Sequence, residues 1–248
     1  NSHAKAPNPF LMTLEARAPW EWGVALAAWP MLRAMGAWPK PEPGRVHHVI
    51  VYPGLAAGDT STQPLRAFLT DLGYEVHGWY QGMNRGPRKG VLQRMQKQLT
   101  AVHRDAREPV SLIGWSLGGV YAREMAKVAP KSVRNVITLG TPFSHGPRST
   151  NAWRVYSALS GESLPDEMAL RQISVAPPVP FTSVYSKTDG VVAWPASIQK
   201  HDDNNANIEN IEVFASHLGI GANPAAWYVV ADRLAQPHGT WRSFRPPL

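Results

Sequence analysis

Short apolar runs rich in β-branched residues recur along the chain and alternate with stretches whose apolar residues have helical spacing. The runs predict six strands, over residues 46–52, 74–79, 110–115, 133–140, 181–186 and 211–215. Helical spacing and helix start and stop signals predict helices over residues 63–72, 88–107, 117–128 and 224–234. Strands that alternate with helices are typical of an α/β fold, in which helices cover both faces of a mostly parallel sheet.

Residues 10–38 precede the first predicted strand and are apolar and rich in tryptophan, but their pattern is not that of a spanning helix. Glu15, Arg17, Glu21 and Arg33 interrupt the segment, and the uncharged run 22–32 is shorter than the roughly 20 residues that a span requires. One interpretation is that one or two helices pack across the domain. The alternative is an interfacial anchor, a peripheral membrane contact in which the Trp side chains rest on lipid.

Composition narrows the function classes. A chain of 248 residues with 44% apolar and 17% charged residues fits one globular domain better than a disordered chain. The absence of cysteine excludes disulfides, a thiol nucleophile and cysteine-ligated zinc. Lys and Arg exceed Asp and Glu by 25 to 18, a net charge of +7, but the basic residues are dispersed. We therefore expect a solvated basic surface and no nucleic-acid partner.

A G-x-S-x-G sequence, Gly114-Trp115-Ser116-Leu117-Gly118, lies where a predicted strand meets a predicted helix. In that context the motif predicts a sharp turn that lifts a serine hydroxyl clear of the sheet and points the helix N-terminus at it. Gly114 and Gly118 lack the Cβ atoms that would clash with the neighbouring strand and helix. Ser116 is therefore the candidate nucleophile, and an ordinary tight turn with an exposed serine is the alternative.

A serine hydroxyl near neutral pH needs a base in contact with it. His217 follows the last predicted strand, and His145, which follows the strand 133–140, is the competing candidate. Asp189 follows the strand 181–186 and is the candidate acceptor that would fix the imidazole tautomer, although an aspartate before glycine is also common in turns. Because ligand sites of parallel sheets lie beyond the carboxyl ends of the strands, we expect these side chains to meet there.

The order Ser116, Asp189, His217, each after a successive strand, resembles the α/β-hydrolase superfamily over nearly all of residues 46–236. Within that superfamily the chain is similar to a small bacterial esterase or lipase that lacks the first two strands of the full eight-stranded sheet. The resemblance implies a three-layer α/β-hydrolase fold in which these residues form a catalytic triad.

The resemblance also implies an oxyanion hole made of two backbone N–H groups. The family places one donor after its third strand, commonly in a His-Gly sequence, whereas this chain has Tyr52-Pro53-Gly54-Leu55 there. The transferred donors are the N–H groups of Leu55 and Leu117, with Ala56 as a substitute for Leu55.

In this family the segment after the fourth predicted strand of this chain often forms a lid. Here that segment, residues 143–180, is longer than an ordinary loop and contains Trp153 and Tyr156. We expect it to be an apolar cap whose side chains bind an acyl chain, and the alternative is a packed excursion whose aromatic residues fill core. Trp194 and Leu218, close in sequence to the acid and the base, are expected to add walls to the same pocket.

These predictions divide the chain into a Trp-rich helical segment (1–45), a hydrolase domain (46–236) and a C-terminal tail (237–248). They imply a carboxylic ester hydrolase that forms an acyl-enzyme on its serine, with no metal or organic cofactor, and that acts on a small-molecule or lipid-like ester. Alternatives that use the same triad are acyl transfer and cleavage of thioesters, amides or polyesters. A non-catalytic hydrolase-like binding module is a further hypothesis. The expected compartment is the bacterial cytoplasm, with or without membrane association.

Overall fold

A parallel sheet of six strands runs through the centre of the molecule. The computed structural model describes residues 4–34, 38–146, 149–160, 167–200 and 205–246. The strands are β1 (His48–Tyr52), β2 (Glu75–His77), β3 (Val110–Trp115), β4 (Val133–Leu139), β5 (Phe181–Tyr185) and β6 (Ile208–Glu212). They lie in the order β2-β1-β3-β4-β5-β6, and every neighbouring pair is parallel. All six strands therefore end at the same edge of the sheet.

Helices flank this sheet, and the predicted ones are confirmed to within a few residues at each end. The helices of the described ranges are α1 (Pro9–Leu14), α2 (Ala18–Ala34), α3 (Asp59–Leu72), α4 (Val91–Ala106), α5 (Leu117–Val128), α6 (Trp153–Ser160), α7 (Glu167–Ser174) and α8 (Pro224–Ala235). Two of them, α6 and α7, belong to the long segment between β4 and β5.

Both faces of the sheet are buried, which gives the three-layer architecture. On one face, Val51 packs in a cluster with Phe68 of α3 and Trp227 of α8. On the other face, Ile50 packs in a second cluster with Met95 of α4. Burial of each such side chain contributes about 1.5–3 kcal/mol, so the two apolar layers hold the strands and their carboxyl ends in fixed register.

The last strand begins earlier than the hydrophobic pattern predicts. The apolar run predicts residues 211–215, but β6 begins at Ile208. As an edge strand it pairs with β5 alone, so it accommodates two polar residues that the pattern could not assign to a buried strand. Arg233 donates a hydrogen bond to the Glu209 carboxylate, and the backbone N–H of Gln199 donates to the Asn210 side chain.

The N-terminal segment packs on the domain through one side and exposes the other. Ala25 of α2 is fully buried, and Trp29 makes edge-to-face contacts with Phe68 and Trp227. Trp20 lies on the outer side of α2 and is exposed. The packing interpretation therefore holds for the inner side of the segment. No helix in the described ranges is long and apolar enough to cross a membrane.

The C-terminal tail also contacts the domain. Phe244 packs edge-on against Tyr228 of α8, with 6.3 Å between ring centroids. The Phe244 N–H donates to the Glu209 carboxylate, and Arg233 donates to the Arg242 carbonyl at 2.8 Å. These contacts hold the tail against β6 and α8.

Candidate active site

Ser116 lies in a strained turn between β3 and α5. Its backbone has φ +53° and ψ −122°, a conformation that costs a residue with a side chain about 1–3 kcal/mol and persists where packing enforces it. A Cβ atom on Gly114 would lie 2.3 Å from the Gly118 carbonyl oxygen, and one on Gly118 would lie 2.3 Å from the Tyr52 carbonyl oxygen. The glycines therefore allow the close approach of strand and helix that the turn requires.

The structure brings together the three side chains that the sequence predicts. His217 Nε2 is 3.0 Å from Ser116 Oγ, and His217 Nδ1 is 2.7 Å from Asp189 Oδ2. The other carboxylate oxygen of Asp189 accepts hydrogen bonds from the N–H groups of Val191 and Val192, at 2.8 and 2.7 Å. Because Nδ1–H donates to this fixed carboxylate, Nε2 is left to accept a proton from Ser116.

The competing histidine lies elsewhere in the loop after β4. His145 has φ +65° and is not the imidazole that contacts Ser116. Both histidines follow a strand in the sequence, so this position alone could not show which of them contacts Ser116.

The pKa of His217 is set by opposing effects. Burial by itself lowers the pKa, whereas the charge of Asp189, the hydrogen bond to Asp189 and the charge of Glu15 raise it, so that it lies above the usual 6.5. Both Asp189 and His217 are buried, and water competes little for their hydrogen bond. The pair therefore favours the protonated imidazole that forms after proton transfer from Ser116.

Two backbone N–H groups next to Ser116 are available to hold a negatively charged oxygen. A Cβ atom on Gly54 would lie 3.3 Å from the Cβ of Ser116, so the loop after β1 passes beside the serine. Within the described residues the N–H of Leu55 makes no hydrogen bond, and Leu117, as the first residue of α5, has no intrahelical acceptor. The Ala56 N–H donates to the Asn84 carbonyl at 2.8 Å, which favours Leu55 over Ala56.

Asn84 holds this loop in place, and sequence reasoning missed it. It is completely buried; its side-chain amide donates to the Pro53 carbonyl at 2.9 Å, and its backbone N–H donates to the Ala57 carbonyl at 2.7 Å. Together with the bond from Ala56, these contacts fix the backbone on both sides of Leu55. The signal in the sequence was weak, because an asparagine in a glycine-rich loop is common in ordinary turns.

An apolar cavity of about 340 Å³ opens beside Ser116. Ser116, Leu55 and Leu117 line it at one end. Its other walls come from α4, α5 and the segment between β4 and β5, and they include Leu92, Val120, Tyr121, Phe143, Trp153, Tyr156, Leu170 and Ile173. The volume is within the range of small-molecule sites, which are mostly apolar with a few polar groups. Trp153 and Tyr156 thus line the same cavity as Ser116.

Trp194 and Leu218 do not line this cavity, which corrects the prediction for both. The Trp194 ring stacks on Tyr185, with 6.0 Å between centroids. The Leu218 side chain is half exposed, and its carbonyl accepts a hydrogen bond from the Trp22 indole at 2.8 Å. Proximity to the acid and the base along the chain does not determine which way a loop side chain points.

A buried arginine attaches the cavity wall formed by α7 to α5. Arg123 is completely buried, and its Nη2 donates to the carbonyls of Ile173 and Val175, at 3.1 and 2.9 Å, where α7 ends. Its guanidinium also lies 3.9 Å from the centre of the Phe143 ring. A cation at a helix C-terminus is favourable, so Arg123 stabilises α7 in the position that closes the cavity. No local sequence pattern indicates this contact, because it joins residues about 50 positions apart.

Solved structures of lipases and esterases share the fold of this chain. Lipase B of Aspergillus fumigatus has a TM-score of 0.62 and 19% identity over 80% of this chain and 56% of that chain. An esterase of Pyrococcus furiosus has a TM-score of 0.59 and 16% identity, over 78% and 83%. A monoacylglycerol lipase of Paleococcus ferrophilus has a TM-score of 0.54 and 14% identity, over 80% and 96%.

The chain therefore has the α/β-hydrolase fold, and it spans little more than half the length of the fungal lipase. No protein-family model matches the chain, and no curated protein matches it by sequence. At 14–19% identity the similarity shows the fold alone, and a fold does not by itself specify the chemistry of its site.

We expect kcat/KM for a chromogenic short-chain ester to fall as the pH is lowered through the pKa of His217, because a protonated imidazole cannot accept the Ser116 proton. Since Asp189 raises this pKa, the midpoint of the acid limb should lie above pH 6.5. A profile of kcat/KM between about pH 5 and 9 measures it. A midpoint below 6.5 would contradict the assignment of His217 as the buried, Asp189-paired base.

Proposed function

We propose that this protein is a serine hydrolase that cleaves carboxylic esters through an acyl-enzyme. The observation that carries the proposal is the chain of contacts from Ser116 Oγ to His217 Nε2, at 3.0 Å, and from His217 Nδ1 to Asp189, at 2.7 Å. An apolar cavity with two available N–H donors lies directly beside the serine. Nucleophile, base and orienting carboxylate in mutual contact are the requirement for acyl transfer to a serine.

In the acylation step Ser116 Oγ attacks the ester carbonyl carbon while His217 Nε2 accepts the serine proton. The carbonyl oxygen becomes an oxyanion, to which the N–H groups of Leu55 and Leu117 donate. His217 then gives its proton to the alkoxide as the carbon–oxygen bond breaks, so the alcohol leaves and the acyl group stays on Ser116. Loss of one oxyanion donor in such sites raises the barrier by about 3–4 kcal/mol.

Deacylation repeats the sequence with water as the nucleophile. His217 Nε2 accepts a proton from the attacking water, and the same two N–H groups hold the second oxyanion. The proton then returns to Ser116 Oγ as the acyl bond breaks and the carboxylic acid is released. Asp189 keeps the imidazole in the correct tautomer and stabilises the imidazolium in both steps.

The cavity favours an ester with an apolar acyl chain. Its walls are aromatic and aliphatic side chains of α5, α6 and α7, and the segment that contains α6 and α7 acts in this proposal as the cap of the acyl site. Glu124 also lines the cavity, but its carboxylate is paired with Lys127 at 2.7 Å. The substrate class proposed is therefore a small-molecule or lipid-like ester whose acyl chain enters the cavity from the Ser116 end.

Substitution Ser116→Ala removes the nucleophile, and we expect it to abolish ester turnover while the circular dichroism spectrum stays unchanged. A fluorophosphonate should label the wild-type protein and fail to label the variant. The matched control is Ser243→Ala, which removes an exposed serine of the C-terminal region and should leave both turnover and labelling intact. Near-normal turnover by Ser116→Ala defeats the proposed function.

Substitution Ile173→Trp adds bulk to the α7 wall of the cavity, and we expect it to shift the preferred acyl chain to shorter lengths. The ratio of kcat/KM for a long-chain ester to that for an acetate ester should fall by about 10-fold or more, since displacing methylenes from an apolar pocket is worth that much. Ile173→Val is the control and should change the ratio little. An equal loss for all chain lengths is the outcome that argues against an acyl site here.

A further inference from the structure

A buried carboxylate of the N-terminal segment reaches both catalytic loops. Glu15 begins the short 3-10 turn that joins α1 to α2, and it is 8% exposed. Its Oε1 accepts hydrogen bonds from the backbone N–H groups of His217, at 2.8 Å, and Gly190, at 2.7 Å. Its Oε2 accepts one from the N–H of Leu218, at 3.0 Å. One side chain thus ties the loop of the proposed base to the loop of the proposed acid.

The acid loop packs so tightly against the N-terminal segment that this contact is built into the fold. A Cβ atom on Gly190 would lie 2.2 Å from the Leu11 carbonyl oxygen, so only a glycine permits the approach of α1. The N–H groups that Glu15 accepts from lie beyond the strand ends, where no neighbouring strand is available to pair with them. Buried N–H groups without an acceptor are rare in folded proteins, so Glu15 meets a requirement of these loops.

Two further charged residues of the apolar segment, Arg17 and Glu21, contact the same loops. Arg17 Nη2 donates to Thr188 Oγ1 at 2.7 Å, next to Asp189. Glu21 accepts from the N–H of Ser216 at 3.1 Å, next to His217, and also from the Ser216 hydroxyl. Arg17 and Glu21 are themselves paired at 2.8 Å. Glu15, Arg17 and Glu21 therefore all contact the loops that carry Asp189 and His217.

We propose that Glu15 is a positioning residue for catalysis, which sets the distance between the His217 and Asp189 loops without touching the substrate. The proposal rests on the proposed hydrolase function, because it concerns the geometry of that triad. Its physical basis is that misplacement of a catalytic group by about 1 Å can cost about 100-fold in rate. Glu15 is 175 residues from Gly190 and 202 residues from His217 along the chain. The hydrogen bonds, and not the chain connection, therefore position these loops relative to each other.

The charge of Glu15 adds an electrostatic signature that a purely structural role lacks. Asp189 and Glu15 are the two carboxylates whose charges raise the pKa of His217 against the lowering effect of burial. The Arg17 and Glu21 side chains face the neighbouring residues Thr188 and Ser216, and their opposite charges are paired with one another. Removal of the Glu15 charge should therefore lower the pKa of the base.

The test compares Glu15→Gln with Asp189→Asn and with the exposed Glu75→Gln as the matched control. In Glu15→Gln one carboxylate oxygen becomes an NH₂ group, which cannot accept from the loop N–H groups. We expect kcat to fall by about 10- to 100-fold with KM within about twofold, and the acid limb of kcat/KM to move to lower pH. Asp189→Asn should lose about 10⁴-fold, and Glu75→Gln should match the wild type.

The positioning role is overturned if folded Glu15→Gln keeps the wild-type kcat and pH profile, or if it loses activity with an unmoved acid limb. If Glu15→Gln does not fold, Glu15→Asp serves instead, since it keeps the charge but is one methylene shorter. It should keep the wild-type acid limb with a reduced kcat, and wild-type kcat in that variant is the contrary result. Fluorophosphonate labelling of the wild-type Ser116 separates a failure here from a failure of the hydrolase proposal, which would leave the serine unlabelled.

The outer face of α2 carries a second, independent inference. Trp20, Val24, Ala27 and Met31 follow one another at intervals of three or four residues and so share one face of the helix. Trp20 is 72% exposed and Met31 is 66% exposed. Glu21 is the single charged residue between positions 18 and 31, and it points at Ser216. An exposed apolar face of this kind marks an interaction site.

The neighbouring helix α1 also exposes apolar residues, Phe10 and Met12. The Asn151 side chain donates to the Pro7 carbonyl at 3.2 Å, just before α1. Asn151 lies two residues before Trp153, which lines the cavity. We infer that α1 and α2 dock the protein on an anionic lipid surface, since the net charge of +7 is complementary to such a surface and exposed Trp is typical of membrane interfaces.

Flotation of the full chain with vesicles of phosphatidylglycerol and phosphatidylcholine tests the lipid proposal. We expect the wild type to float with these vesicles, and less so at high salt, whereas the double variant Trp20→Ser, Met31→Ser should bind at least about 10-fold more weakly. The control is Val46→Ser, Val128→Ser, which changes two exposed apolar residues outside α1 and α2. Absence of wild-type binding, or equal binding by the double variant, overturns the proposal. A third result also overturns it. If sedimentation shows that the wild type is a dimer and that the double variant is a monomer, a second copy of the chain covers this face.

Discussion

The left-handed backbone of Ser116 is the constraint on which the rest of the site depends. A residue with a side chain holds φ +53° only where the surrounding packing enforces it. Here β3 is buried along its whole length between two apolar layers, and α5 begins directly after the serine. Gly118 of this helix lies so close to the Tyr52 carbonyl that a Cβ atom there would clash with it. Core packing on both faces of the sheet is thus what presents the hydroxyl to His217.

Loops at the carboxyl edge of the sheet are held by buried polar side chains. A loop that leaves the sheet loses its strand partners, yet its backbone groups still require hydrogen bonds. Asn84 supplies them to the loop that carries Leu55, and Glu15 supplies them to the loops that carry Asp189 and His217. Arg123 does the same for the end of α7. The strands place the functional loops approximately, and these three residues determine where their atoms lie.

The electrostatics of the site follow from the same burial. Burial lowers the pKa of His217, whereas the charge of Asp189, its hydrogen bond and the charge of Glu15 together raise the pKa above its usual value, because charges interact strongly where water is excluded. The N–H groups of Val191 and Val192 donate to the other oxygen of Asp189 and so hold this carboxylate in position beside the imidazole. The apolar cavity extends the dry region around the serine. The same burial that packs the core therefore also sets the electrostatics of the proposed triad.

The sequence by itself determined the order of strands and helices, the strained serine turn and the positions of Asp189 and His217. These signals are local, since apolar runs, G-x-S-x-G and residues after strand ends depend on neighbours along the chain. Tertiary structure decided the bounds of β6, the outward directions of Trp194 and Leu218, and the contact of Glu15 with a histidine 202 positions away. Such features depend on contacts between residues that are far apart in the sequence, and no short-range pattern predicts those contacts.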